Sequence, residues 1–588
     1  MRRSPRLSCA ALALLLLAAA LFLLPAIDWG MPNPRDPAID NLVIHGGWAY
    51  DGENLAEEGG CVYPPLHFHL LEIVFKPIRS AVGSGAAPDE VAPWFVIAGR
   101  ALSAVMALAA AAAIFFTGRA TRGTAAGLIA AFLFLTSPAV AYYGRSSNAD
   151  LPYVAWFALA LAAYHRVLLS PAERARGAVF FFVLAAAAVA TKDQSAALFP
   201  LLALHLAWRL RGRGLRYAGA GLAAGGALYA ASYLPLGGWD YFRRHVAAMA
   251  ARSEHFVTHE VSPGSQLDLA GLVASDLFAT FGPLLLFLAA AGLFLLLWQR
   301  RADAPRALLL VSIPYLAALF LFARRSNARY LLPFLPLLAL AAGHALSELL
   351  RPTGWRRRAG IAALFLALAH SASGSLAMTR LLADLPVPRS KEHLRQRLGE
   401  GSILPRSRIG VFSVREGVQF AQDESGRWAE RPALRDWTEL DYGPVDPALP
   451  VSGLLADPAS LYLASPRVLA FLPERAPETP WISDLLAGRL GYRESARFER
   501  ATSPGFDLSR IFDPPTVILL VLEGQEGPED PLLALAARSD RAGQAEFVFA
   551  ALPEDVRSDP AVVRRRIRLV EAISRLEREE LDPNKGGR

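Results

Sequence analysis

The chain has 588 residues, with 60 Lys and Arg, 53 Asp and Glu and a net charge of +7, but the charges are unevenly spread. Residues 1–380 carry 32 basic and 20 acidic side chains, and residues 381–588 carry 28 basic and 33 acidic ones, which excludes a single soluble globular domain. The two cysteines, Cys9 and Cys61, exclude a disulfide framework and a Cys-rich metal site.

The first part reads as a series of membrane spans. A basic start, residues 1–6, precedes an apolar run to residue 27. We interpret the run as an uncleaved span rather than a signal peptide, because no clear small-x-small site precedes Asp28. Further apolar stretches of spanning length predict eleven spans in all. They lie at 94–117, 125–143, 151–169, 177–191, 194–210, 217–236, 271–298, 307–323, 330–350 and 359–379. The short stretches 177–191 and 194–210 form either two spans or one broken pair.

The positions of the arginines predict the orientation. With the N-terminus in the cytoplasm, the inner segments hold 19 Arg and only three acidic residues. Positively charged loops stay on the cytoplasmic side, so this excess fixes the topology and gives no sign of nucleic-acid binding. The pattern predicts a multi-pass protein of the plasma (inner) membrane whose residues 381–588 lie outside.

Besides an outer loop at 237–270, two longer regions are predicted to lie outside the bilayer. The first outer loop, residues 28–93, contains an amphipathic helix near 63–78 that would rest on the membrane surface. Residues 381–588 alternate strand-like runs with turn-rich and helical pieces, which indicates a soluble α/β domain with a charged helical tail. The predicted domains are therefore a membrane domain, residues 1–380, and an extracytoplasmic domain, residues 381–588.

Ionisable residues gather at the predicted outer ends of the spans. Because such groups are costly near a bilayer, each needs a reason to be there. Four loops bring carboxylates and cations to one face, which suits a site for an anionic headgroup. These residues are Asp28, Arg35, Asp36 and Asp40; Arg145, Asn148 and Asp150; Lys192 and Asp193; and Arg324, Arg325 and Arg329. The sequence contains no Walker or dinucleotide-binding glycine motif, which argues against a nucleotide-fuelled reaction.

A set of short motifs in a fixed order resembles a known family. The motifs are Asp28-Trp-Gly-Met-Pro, Tyr63-Pro-Pro-Leu66, Arg145-Ser-Ser-Asn-Ala-Asp150, Ala190-Thr-Lys-Asp193 and Arg329-Tyr-Leu-Leu-Pro-Phe-Leu-Pro336. Together they are similar to the polyprenyl-phosphate-dependent glycosyltransferases of the GT-C fold, which include protein O-mannosyltransferases and lipid A aminoarabinose transferases. The resemblance covers about residues 28–345. It implies a GT-C-like polytopic α-helical membrane protein with about eleven transmembrane helices, followed here by the soluble α/β domain.

The resemblance implies transfer of a sugar from a polyprenyl-phosphate donor to a glycolipid, polysaccharide or protein acceptor at the outer face, usually with inversion. An acidic residue of the first outer loop would be the base. The family pattern is Asp-Glu after a proline, and Asp40 matches the Asp while Asn41 replaces the Glu. Either Asp40 or Asp36 is therefore the candidate. No cofactor is expected, and the missing second carboxylate weakens the case for a divalent metal.

The residues fit this chemistry on their own terms. An acceptor hydroxyl needs a carboxylate to remove its proton, and a departing phosphate needs positive charge. Arg145, Lys192 and Arg329 are the candidate cations for the donor phosphate. Asp150, Tyr63 and His67 complete the predicted substrate-binding set.

Each residue also has an ordinary structural interpretation. Asp40 fits a solvated loop carboxylate or a helix N-cap, Arg145 and Asp150 fit a pair that caps a span, and Lys192 fits a snorkelling side chain. In the same way, Arg329 fits an interfacial anchor, Tyr63 a loop-shaping residue and His67 an interfacial polar group. His67 and His69 lie two residues apart and share no helical face, which argues against a metal site. A transporter or flippase for a lipid-linked or anionic substrate is the alternative function, and a membrane scaffold that displays the tail domain is a third.

Overall fold

The structure is a computed structural model that describes residues 5–25, 27–29, 63–82, 88–256, 259–298 and 303–384, and seven strands between 409 and 522. The chain divides into two compact units. The first comprises Met1–Ala383 with Ala501–Asp513, and the second comprises Asp384–Arg500 with Pro514–Arg588.

The described part of the first unit is helical. Its α-helices are α1 Pro5–Leu23, α2 Leu66–Val82, α3 Pro88–Arg122, α4 Thr124–Leu135, α5 Pro138–Tyr143, α6 Asp150–Leu169, α7 Arg174–Thr191, α8 Pro200–Leu210, α9 Leu215–Tyr233, α10 Trp239–Phe256, α11 Pro263–Phe281, α12 Pro283–Trp298, α13 Asp303–Ala318, α14 Ala328–Leu331, α15 Phe334–Leu349 and α16 Trp355–Ala383. A 3-10 helix, Asp193–Leu198, precedes α8, and a π-helix, Leu319–Ala323, follows α13.

Several of these helices are long and apolar enough to cross a membrane, so the chain is a multi-pass membrane protein. Within the described residues five helices meet this test, namely Trp94–Arg122, Asp150–Leu169, Arg174–Thr191, Arg306–Ala323 and Arg357–Ala383. The pair α11 and α12 makes a sixth if it is counted as one bent span. Three shorter apolar helices, Leu7–Leu23, Thr124–Leu135 and Phe334–Leu349, fall below the length required. The predicted count of eleven is not confirmed.

The structure breaks some apolar runs that the sequence predicts as continuous. The run 125–143 divides into α4 and α5 before Pro138, and 271–298 bends by 101° between α11 and α12. The bend lies at Gly282, whose φ of 73° suits glycine, and Pro283 follows it. Proline removes a backbone donor and disfavours helical geometry in the residue before it, which explains both breaks. The two breaks meet, because Ser137 Oγ donates to the Thr280 carbonyl at 3.4 Å.

Small residues allow close contact between helices of the bundle. A Cβ added to Gly292 of α12 would lie 1.9 Å from the carbonyl oxygen of Ala341 in α15. One added to Gly127 of α4 would lie 2.5 Å from the carbonyl oxygen of Phe115 in α3. Backbones approach this closely in membrane bundles because packing replaces the hydrophobic effect as the force between helices.

Helix α2 corresponds to the amphipathic helix predicted near 63–78. Phe68, Leu71 and Phe75 are buried, whereas Ile73 is 67% exposed. The ring of Phe75 stacks on Phe95 at the start of α3, with 4.4 Å between centroids. The same apolar cluster includes residues of α9 and α10, so α2 is held at several points. This packing fixes where Tyr63 and His67 lie.

The second unit contains a mixed β-sheet. The strands are β1 Ile409–Ser413, β2 Phe420–Gln422, β3 Trp428–Glu430, β4 Tyr442–Pro444, β5 Ser460–Ala464, β6 Tyr492–Phe498 and β7 Val517–Leu522. Five strands follow the order β4-β1-β5-β7-β6, with β1 parallel to β4 and β5, and β7 antiparallel to β5 and β6. Strands β2 and β3 form a separate antiparallel pair. The segments between strands lie outside the described residues, so the α/β domain remains a prediction.

Candidate functional site

A buried ion pair lies at one end of the bundle. Lys192 Nζ donates to Asp150 Oδ1, and the two side chains are 8% and 5% exposed. Asp150 opens α6 and Lys192 follows the end of α7, so the pair joins adjoining ends of two packed helices. A carboxylate at the first turn of a helix is favoured by the helix dipole. Asn148 Oδ1 accepts the Asp150 backbone N–H at 3.0 Å and fixes the turn before the helix.

Tyr153 connects the ion pair to residues near 329. It lies one turn after Asp150, and its ring centroid is 5.4 Å from Lys192 Nζ. Its hydroxyl accepts from Gln194 Nε2 at 2.9 Å and lies 3.5 Å from the Arg329 carbonyl oxygen, to which it donates. Three helical segments that are distant in sequence therefore converge around one phenol.

Arg329 brings a second cation to this place. Its backbone N–H is capped by Asn327 Oδ1 at 3.1 Å, and its guanidinium lies 5.2 Å from the Tyr330 ring centroid. Burial works to lower the pKa of Arg329, but the nearby Asp150 carboxylate, with Tyr330 and Tyr63, outweighs it and raises that pKa above the usual range. Within the described part of the chain, no carboxylate lies within 4 Å of this guanidinium, and its buried Nε has no hydrogen-bond partner.

His67 lies beside the same cluster and is held neutral. Its side chain is 1% exposed, and burial lowers its pKa to about 4 although the Asp150 carboxylate opposes the shift. Nε2 lies 3.1 Å from the Ser147 carbonyl oxygen, so the neutral ring donates there. His69 contacts a different element, with Nε2 2.6 Å from the Ser232 carbonyl oxygen. Across the described ranges, no three His, Cys, Asp or Glu side chains are grouped as a metal site would need.

Arg145 lies at the head of the same loop but its side chain points elsewhere. The guanidinium is fully buried and donates to the carbonyl oxygens of Leu23 at 3.0 Å and Phe22 at 2.5 Å. Nη1 donates to the Ala141 carbonyl at 3.1 Å and to Thr379 Oγ1 at 2.9 Å. The structure thus brings five predicted site residues together and directs Arg145 towards α1; the five are Tyr63, His67, Asp150, Lys192 and Arg329. Asp36 and Asp40 lie outside the described residues.

Sequence reasoning did not single out several residues that the structure adds. Tyr153 had a signal, because it is three residues after Asp150 and therefore on the same face of α6. Asp193 was noted only as one of the charged residues, yet its Oδ1 lies 3.2 Å from Nε2 of His245 in α10. His245 is 2% exposed, and no sequence spacing points to a partner so far along the chain.

An apolar groove reaches towards this cluster. It has a volume of about 430 Å³ and is formed by α7, the 3-10 helix, α8 and α9. It extends from Phe181 in the middle of α7 to Ala196 and Tyr229, near Lys192 and Asp193. The lining residues are Phe181, Phe182, Ala185, Ala186, Val189, Ala196, Phe199, Pro200, Ala203, Leu222, Gly225, Gly226 and Tyr229.

Known proteins resemble parts of this chain. Residues 96–239, less than half of the chain, match the family described as dolichyl-phosphate-mannose-protein mannosyltransferase. This match confirms the resemblance to GT-C glycosyltransferases that the motifs predicted. Among curated protein sequences, none matches this chain.

Three solved structures show a loose likeness. ArnT from Cupriavidus metallidurans is 16% identical with a TM-score of 0.42, over 86% of this chain and 97% of that one. The oligosaccharyltransferase of Archaeoglobus fulgidus, with an acceptor peptide tethered, is 13% identical with a TM-score of 0.40. The matched region covers 75% of this chain and 66% of that one. The arabinofuranosyltransferase AftD from Mycobacteria is 17% identical with a TM-score of 0.41, over 90% of this chain but only 40% of that one. At these TM-scores the likeness carries no argument about activity.

Proposed function

We propose that this protein transfers a sugar from a polyprenyl-phosphate donor to an acceptor hydroxyl at the outer face of the membrane. One observation carries the proposal: the Arg329 guanidinium, which has no carboxylate partner among the described residues, lies beside the buried Asp150–Lys192 pair. Two cations lie around one carboxylate there, and only Lys192 is paired with it, so the site has positive charge to offer an anion. The match of residues 96–239 to the mannosyltransferase family supports a lipid-phosphate donor.

In this proposal Lys192 and Arg329 hold the donor phosphate. As the phosphate leaves, negative charge develops on its oxygen, and fixed cations in a low-dielectric site stabilise that charge most strongly. Asp150 holds Lys192 in position and supplies the compensating charge while the site is empty. His67 stays neutral and fixes the 144–149 loop through its bond to the Ser147 carbonyl.

The apolar groove supports a lipid carrier. Its small residues, Gly226 and Ala203, leave room for a branched isoprenoid chain. One end of the groove, at Tyr229, lies near Asp193, which follows Lys192 in the chain. A prenyl tail in this groove would place its phosphate close to Lys192. The described groove has no charged lining residue, as a hydrocarbon tail requires.

The proposed reaction is a direct displacement at the anomeric carbon of the sugar. The acceptor oxygen forms a bond to the anomeric carbon, and the bond from that carbon to the phosphate oxygen breaks. The acceptor proton passes to a carboxylate of the first outer loop, either Asp40 or Asp36, and the polyprenyl phosphate leaves as an anion. The configuration at the anomeric carbon inverts.

The test uses the purified full-length protein in proteoliposomes with a set of polyprenyl-phosphate sugars. Asp40→Asn and Asp36→Asn are assayed separately, with Arg329→Gln and the exposed-site control Arg243→Gln. We expect transfer by the parent protein, loss of turnover in one of the two Asp variants and a raised donor KM in Arg329→Gln. Full activity in both Asp variants would contradict the base assignment, and movement of donor lipid without sugar transfer would favour the flippase alternative.

A further inference from the structure

Two buried arginines hold the point at which the chain leaves α1. Arg145 caps the end of that helix by donating from Nε to the Leu23 carbonyl at 3.0 Å and from Nη2 to the Phe22 carbonyl at 2.5 Å. The last carbonyls of a helix have no partner within it, so a donor from elsewhere satisfies them. The Arg145 guanidinium also lies 4.8 Å from the Phe22 ring centroid.

The Arg145 guanidinium uses its donors for contacts inside the protein. It is fully buried, and no carboxylate lies within 4 Å of it among the described residues. Burial lowers the pKa of Arg145 to about 10, which leaves it charged at neutral pH. The negative end of the α1 dipole supplies the compensation that a carboxylate would otherwise give.

The turn after α1 is fixed by the same set of residues. Trp29 Nε1 donates to the Arg145 carbonyl at 2.7 Å. Arg100 Nη1 donates to the carbonyls of Ile27 at 2.7 Å and Trp29 at 2.8 Å, and its guanidinium lies 4.4 Å from the Trp29 ring. Trp29 is 4% exposed, so the start of the first outer loop is anchored inside the protein.

Arg145 also begins the loop that leads into Asp150 of the ion pair. Asp150 lies five residues after Arg145. Between them, the Ser147 carbonyl contacts His67, and the Asn148 side chain accepts from the Asp150 amide. On the other side, Asp36 and Asp40 follow Trp29 by seven and eleven residues. Arg145 therefore joins the origin of the loop with the candidate bases to the loop that leads into Asp150.

We propose that Arg145 is a positioning residue, which sets the start of the first outer loop relative to the Asp150–Lys192–Arg329 cluster. The inference rests on the proposed function for its catalytic consequence but not for its structural one. Arg145 acts through other residues and does not touch the donor.

The test combines kinetics with a mobility measurement. A spin label is attached to Asn33→Cys in a Cys9→Ser, Cys61→Ser background, four residues after Trp29. Arg145→Lys keeps the charge but lacks the planar fork that reaches two carbonyls, and Trp29→Phe keeps a ring but removes the donor to Arg145. Arg243→Lys, at an exposed surface pair, is the matched control.

We expect Arg145→Lys to raise the mobility of the label and to lower kcat by about tenfold to a hundredfold, with the donor KM within about twofold of the parent. Trp29→Phe should move both readouts in the same direction by less, and it carries the test if Arg145→Lys does not fold. A raised donor KM with unchanged label mobility would overturn the proposal in favour of phosphate binding by Arg145. No change in either the kinetics or the label mobility would also overturn it. If the parent protein shows no sugar transfer, the proposed function fails, and label mobility alone decides the positioning role.

Discussion

The Asp150–Lys192 pair gives the sharpest quantitative prediction, through Lys192→Met, Asp150→Asn and the double variant. The side chains are 8% and 5% exposed, so each single substitution leaves a charge buried without its partner. Removing one member of a buried pair costs about 3–5 kcal/mol, whereas replacing both costs much less. The two substitutions should therefore be strongly non-additive.

Arg329 sets the order of the two single variants. In Lys192→Met, the Asp150 carboxylate still has the Arg329 guanidinium nearby. In Asp150→Asn, Lys192 and Arg329 are left as two cations around a neutral amide. We therefore expect Asp150→Asn to lower the free energy of unfolding more than Lys192→Met does.

The assay is unfolding by SDS in mixed micelles, analysed as a double-mutant cycle. Asp240 and Arg243 are the matched control pair, with side chains 66% and 64% exposed and 2.5 Å between Oδ1 and Nη2. Their coupling should be about 0–1 kcal/mol, because exposed pairs contribute little. Additive effects at Asp150 and Lys192, or equal coupling in the two pairs, would refute the reasoning from burial.

Three further predictions concern stability and carrier length. Burial lowers the pKa of His67 from 6.5 to about 4, so the folded protein favours the neutral imidazole. Relative to His67→Gln, the free energy of unfolding should therefore fall by about 2 kcal/mol between pH 7.5 and pH 5. Parallel pH profiles of the two proteins in SDS titrations would contradict this. Gly292→Ala should destabilise by about 1–3 kcal/mol because its Cβ would meet the Ala341 carbonyl, whereas Gly271→Ala, with open space around it, should not destabilise; thermal midpoints in detergent compare the two. Gly226→Leu should reduce transfer from long-chain polyprenyl donors more than from short-chain ones, measured as kcat/KM, and an equal effect on both would exclude the groove as the tail site.

The sequence was most informative where charge lay at the ends of apolar helices. Asp150 and Lys192 stand at adjoining ends of consecutive spans, so their proximity follows from alternation through the membrane. Arg329 was predictable in the same way, because its loop returns to that end. The burial of His67 was not predictable, since the amphipathic pattern of α2 indicates a surface helix and the contact of His67 with the Ser147 carbonyl joins residues far apart in the sequence.

The direction in which a side chain points could not be predicted from the sequence. Arg145 shares a loop with Asp150, yet its guanidinium turns back past Ala141 to the end of α1. The Asp193–His245 contact joins residues far apart, and no periodicity encodes it. Helix breaks were also missed, because hydropathy registers apolar length and a bend such as the one at Gly282 leaves that length unchanged.

The meeting of two helix breaks has a consequence for how this bundle can change. In an unbroken helix the Thr280 carbonyl would accept the amide of residue 284, but at the bend it accepts the Ser137 hydroxyl instead. Straightening α11 and α12 alone would leave the Ser137 hydroxyl without that acceptor, and straightening α4 and α5 alone would withdraw the donor from Thr280. Inside an apolar bundle, loss of an interhelical hydrogen bond costs about 1 kcal/mol. We therefore expect the break between α4 and α5 and the bend between α11 and α12 to be gained or lost together during evolution.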